Sequence, residues 1–248
     1  MTSGAFALLS ALREDFRALV ARWTEEHPYL GALQESLRRE RGYDDYRIET
    51  PIVYNRALDA LGPEDEVQYV LVADNPGKNE QLARNNKYLV GQSGKLAESW
   101  FGRELGADFR ATVLILNKTP VHTPKTAELR RLLALSGGLR PRLEELLRES
   151  QVAMAELAIR AAAGLGATLW ISGLGELRDG GLFRTYRDEL SRRLAVMPLS
   201  VRNETWAFNH FSMNRFSIEV AQKSRKGEPR AAALARIGAE NRVRIFGL

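Results

Sequence analysis

The apolar run Val67–Ala73 stops abruptly at Asp74-Asn75-Pro76-Gly77, and this junction constrains the fold more than any other stretch of the chain. A β-branched run closed by a polar-Pro-Gly turn reads as a buried strand that delivers side chains to the rim of a sheet. Three more strand candidates follow, at Thr112–Leu116, Thr168–Ser172 and Thr205–Phe208. Two of them also run into polar side chains, Asn117 after the second and Asn209-His210 after the last. Helical patterns separate the strands, from near Gly94 to Leu105, from Pro141 to about Ala163, and from Leu182 to Leu194. This alternation predicts a three-layer α/β/α sandwich with a central four-stranded parallel sheet. Such sheets bind ligands outside the carboxyl ends of their strands. Asn75, Asn117 and His210 are therefore expected to meet in one site.

Ahead of the first strand, Phe6, Leu9, Leu12, Phe16, Leu19, Val20 and Trp23 recur at three- and four-residue intervals, the mark of an amphipathic helix. A second helix is expected over Tyr29–Arg41, followed by a connector punctuated by Pro51 and Gly62-Pro63. The helical segment 1–66 is expected to pack against the motif-bearing core 67–220, so that residues 1–248 form one domain. That length is enough to bury a sizeable core.

The absence of cysteine removes thiol nucleophiles, disulfides and Cys-held metal centres. Three histidines without an HExxH-type pair argue against a His-rich metal site, and neither a metal nor a cofactor is expected. The opening Gly4–Leu9 is too short to span a bilayer and runs into Arg13-Glu14-Asp15, so a cytoplasmic protein is expected, with no membrane partner. Net charge is +5, and all of that excess falls from Val201 onward, where nine Lys/Arg meet four Asp/Glu. A basic segment beside a polar site suits a polyanion such as nucleic acid.

Taken in order, these motifs resemble those of the uracil-DNA glycosylase superfamily. Asn75-Pro76-Gly77 is similar to the first motif of the single-strand-selective and mismatch-specific thymine/uracil branches. Leu89-Val90-Gly91-Gln92-Ser93-Gly94-Lys95-Leu96 resembles the segment that closes over the base and opens a helix. Leu114–Pro120 resembles the strand whose terminal Asn reads the pyrimidine edge, and Asn209–Arg215 resembles the His-Pro-Ser motif, with Phe211 in the place of proline. The best register puts Leu89 where the family usually has an aromatic to stack on the base, with Tyr88 one residue away. Lack of cysteine excludes the iron–sulfur branch.

The resemblance implies a monofunctional, metal-independent glycosylase, expected to act as a monomer, that removes uracil or a related damaged base from single- or double-stranded DNA. Asn75 then holds the attacking water, with Asp74 beside it as the alternative activator. His210 stabilises the departing base, and Asn117 reads it alongside Tyr88 or Leu89. Gly77, Ser93, Gly94 and Ser212 are expected to grip phosphates, while Met213, Asn214 and Arg215 fall in the intercalating loop. Lys223, Arg225 and Lys226 would add sequence-independent affinity. A nucleic-acid-binding protein that keeps the cleft without doing chemistry is the alternative.

Overall fold

The computed structural model describes residues 1–248. Two helices lead, α1 (Ser3–Glu26) and α2 (Leu30–Glu40), before the first strand, β1 (Tyr69–Ala73). Then come α3 (Gln92–Leu105), α4 (Phe109–Thr112), β2 (Val113–Asn117), α5 (Glu128–Leu135), α6 (Arg140–Leu165) and β3 (Thr168–Ser172). The chain closes with α7 (Arg184–Leu194), α8 (Leu199–Asn203), β4 (Thr205–Phe208), α9 (Arg215–Lys223) and α10 (Arg230–Phe246). All four strands are parallel, in the order β2-β1-β3-β4, and helices cover both faces of the sheet. The architecture is a three-layer α/β/α sandwich.

The first strand comes out shorter than its apolar run, because Val67 and Gln68 precede the ladder that starts at Tyr69, while β3 and β4 keep the expected bounds. Asn117 proves to be the last residue of β2, opposite Ala73 in register, rather than the residue after it. The helix expected near Gly94 opens two residues earlier, at Gln92. Helix α5, short and carrying a buried acid in its first turn, has no counterpart in the sequence reading.

One apolar core runs from α1 through the sheet, with Leu9, Leu12, Phe16, Val20 and Trp23 of α1 all buried in it. Helix α6 packs against α1, α7 and the three strands β1, β2 and β3. Trp170 of β3 anchors an aromatic cluster formed with Phe101 of α3 at 5.2 Å, Phe208 of β4 at 4.5 Å and Phe216 of α9 at 5.4 Å. Since β1 has β2 on one side and β3 on the other, chain direction across the sheet reverses between β1 and β3. A crevice forms outside the carboxyl ends at such a switch point. No helix is long and apolar enough to cross a membrane.

Candidate active site

At the carboxyl ends of the strands lies a cleft of about 760 Å³, and Asp74, Asn75, Asn117 and His210 all line it. The three strand ends singled out from sequence therefore converge.

The turn after β1 is held from several directions. Lys118 N–H donates to the carbonyls of Ala73 and Asp74 at 2.9 and 3.0 Å, and Thr123 N–H donates to that of Pro76 at 3.2 Å. His122 Nδ1 donates to the Pro76 carbonyl at 2.8 Å, while burial pushes its pKa down to about 4. Asn75 Nδ2 donates to Thr123 Oγ1 at 2.8 Å and to the Val121 carbonyl at 3.2 Å. The carbonyl fixes the amide's orientation, since it can only accept. Asn75 Oδ1 is left buried without a partner.

Asn117 is 1% exposed, and its Nδ2 also has no protein partner. A buried unpaired donor costs about 1–3 kcal/mol, and this one belongs to a residue that lines the cleft.

At the end of β4, His210 sits beside Ser212, whose backbone N–H donates to Nδ1 at 3.1 Å, with Ser212 Oγ 2.9 Å from the same atom. An Nδ1 that accepts leaves the ring proton on Nε2. Burial lowers the His210 pKa, opposed by the nearby Asp74 charge and reinforced by that of Lys118. The ring is a neutral donor through Nε2. Phe211 explains its own presence in the motif: it is 2% exposed and packs on Phe216 at 4.7 Å, pinning the loop to the aromatic cluster.

Two expectations fail. Tyr88 does not reach the base site: its ring is fully buried and its hydroxyl donates to the Val53 carbonyl at 2.6 Å. Only Leu89 of that pair lines the cleft, with a φ of +52°. Gly94 is not a phosphate grip, because it lies buried beneath Leu89, where a Cβ would come within 1.6 Å of the Leu89 carbonyl oxygen. Gly77, Ser93, Ser212, Met213 and Arg215 do line the cleft, while Asn214 is exposed beside them. Lys223 is tied internally, to Glu219 at 3.1 Å and Asn241 at 3.3 Å, and neither it nor Arg225 and Lys226 borders the cleft.

Several groups were not anticipated. Lys118, fully buried, sets Nζ 2.5 Å from Asp74 Oδ1 and 2.5 Å from the Ser172 carbonyl oxygen. Burial lowers its pKa against the pull of Asp74. Glu80, 8% exposed, accepts the Gly77 N–H at 3.1 Å, and burial pushes it up to about 7. Its place three residues after Gly77 was the one available signal, that of a turn cap. Glu176 faces the cleft but is engaged by a two-pronged contact from Arg130 at 2.7 and 3.0 Å. No three His, Asp or Glu side chains are arranged to hold a metal ion.

Neither a protein-family model nor a curated protein matches the chain.

Proposed function

We propose that the protein is a DNA glycosylase that hydrolyses the N-glycosidic bond of uracil or a related damaged base. The observation that carries this reading is the convergence of Asn75, Asn117 and His210, with Asp74, on one cleft. Breaking the bond puts positive charge on the sugar and negative charge on the departing base. The unpartnered Nδ2 of Asn117 suits a pyrimidine carbonyl, and its Oδ1 suits the adjacent N3–H. Cytosine presents the reverse pattern, which leaves buried groups unpaired at about 1–3 kcal/mol each. The Nε2–H of a neutral His210 suits the developing oxyanion, because a preorganised donor gains strength as charge builds. Asp74 and Asn75 supply the acceptors for a water at the end of β1.

A base reaches such a cleft only after leaving the stack. Met213, 70% exposed at the rim, and Arg215, an exposed cation on the cleft wall, suit a wedge and a phosphate contact. The test is a fluorescently labelled oligonucleotide with one deoxyuridine, incubated with the protein and then treated with alkali. A break at the uracil is expected, in single- or double-stranded form. Binding that weakens steeply with salt but gives no break with either substrate overturns the enzyme reading and leaves a nucleic-acid-binding protein.

A further inference from the structure

The two acceptors at the end of β1 are not equivalent. Asn75 is anchored by its own amide nitrogen to Val121 and Thr123. Asp74 instead is gripped through one carboxylate oxygen by a lysine with no solvent exposure, whose remaining hydrogen bond goes to the Ser172 carbonyl. A buried ammonium is costly unless paired, so this contact joins the ends of β1, β2 and β3 through a charge. The same carboxylate oxygen rests on Gly173, whose φ is +91° and whose hypothetical Cβ would fall 2.5 Å from Oδ1. Only glycine leaves that space. The other oxygen, Oδ2, has a single long contact, from Thr126 Oγ1 at 3.4 Å, and the carboxylate lines the cleft.

We infer that Lys118 is a positioning residue, which fixes the Asp74 carboxylate so that Oδ2 orients and deprotonates the attacking water. The inference rests on the glycosylase reading. In that step the C1′–N1 bond breaks with its electron pair on the base, and the water oxygen bonds to C1′. The water proton passes to Asp74 Oδ2 and then, through solvent, to the departed base. The products are the neutral base and an abasic sugar, with the carboxylate regenerated. Lys118 gives up no proton. Burial favours the neutral His210 ring, and Lys118 offsets the opposing charge of Asp74 beside it.

The test compares wild type, Lys118→Met, Asp74→Asn and the double variant in single-turnover cleavage of a uracil oligonucleotide. Binding is read separately, with an oligonucleotide whose 2′-fluorinated deoxyuridine resists hydrolysis. Lys118→Met is expected to cut the rate by about 100-fold, as loss of an aligned general base does, with affinity within about threefold of wild type. In the Asp74→Asn background, removing Lys118 is expected to change nothing further. If Lys118→Met does not fold, Gly173→Ala displaces the same carboxylate by contact with its added Cβ and is expected to give the same loss of rate with binding retained. A folded Lys118→Met or Gly173→Ala protein that cleaves at the wild-type rate overturns the inference and leaves the glycosylase reading standing. Rate losses that multiply in the double variant overturn it too, because two residues with independent roles would give that result. A wild type without cleavage overturns both.

Discussion

The cleft is built from two unlike strand ends. At β1 the turn Asp74-Asn75-Pro76-Gly77 is tied to Lys118, His122, Thr123 and Glu80 by hydrogen bonds that fix both backbone and side chains. At β4 the loop is tied at its base, by Asn209 N–H donating to Glu219 Oε2 at 2.9 Å and by Phe211 in the core. Beyond that base, Met213 and Asn214 take φ values of +53° and +54°, both exposed. Asparagine tolerates this left-handed region, but for methionine it costs about 1–2 kcal/mol. The contrast suggests a division of labour. On the proposed glycosylase reading, groups that must meet a reacting carbon are over-determined, while groups that must follow a polymer stand out from the surface.

The sharpest way to break this contrast is at His210, which belongs to the β4 loop in sequence but lines the cleft with Asp74, Asn75 and Asn117 in space. His210→Ala is expected to lower single-turnover cleavage by about 100- to 1,000-fold, the usual cost of losing an oxyanion donor. Its folding stability should stay within about 1 kcal/mol of wild type, since Asn209 and Phe211 keep the loop seated. A loss of DNA affinity as large as the loss of rate would put His210 among the phosphate contacts instead.

The next test addresses the rigid end. Glu80 and His122 both hold the Pro76-Gly77 turn, and burial moves Glu80 up to about 7 and His122 down to about 4. The signs follow from linkage. Folded Glu80 holds its proton more tightly than the unfolded chain does, so its contribution falls as pH rises from about 4.3 to about 7. Folded His122 holds its proton less tightly, so its contribution is lost as pH falls from about 6.5 to about 4. The two slopes oppose each other between about pH 4.5 and 6.5 and nearly cancel. Glu80→Gln keeps an acceptor for Gly77 and removes one slope. Urea melts of this variant should show stability rising by roughly 2–3 kcal/mol across that window, where wild type is flatter. Parallel pH curves for the two proteins would show that Glu80 does not hold its proton more tightly in the folded state.

The strands and the polar side chains at their ends were legible in the sequence because strand periodicity and turn chemistry are local. Asn75, Asn117 and His210 each follow or close an apolar run, and the parallel sheet brings them together. What was not legible depends on contacts distant in sequence. Lys118 reads as an ordinary surface lysine until Asp74, 44 residues earlier, and Ser172, 54 residues later, are seen around it. Tyr88 and Leu89 could not be separated by pattern, since both are large and apolar in character. The close approach of Leu89 to Gly94 turns one toward the cleft, and the Val53 carbonyl holds the other in the core. The cluster Lys223-Ser224-Arg225-Lys226 looked like a charge patch, but Glu219 and Asn241 claim its first lysine.

A small effect on folding is also expected at Met213, and it bears directly on the strained end. Glycine at this position removes the left-handed strain, while it adds freedom to the unfolded chain. The side chain is 70% exposed, so little packing is lost. These terms offset, and Met213→Gly should melt within about 1 kcal/mol of wild type. Its effect on DNA should be selective. An apolar wedge matters only where a base must be pushed out of a stack, so affinity for a duplex holding uracil should fall while affinity for the single strand is kept. Equal losses on both substrates would make Met213 a general contact rather than a wedge. A protein destabilised by several kcal/mol would mean that the left-handed pair supports the fold, and the contrast between the two strand ends would fail.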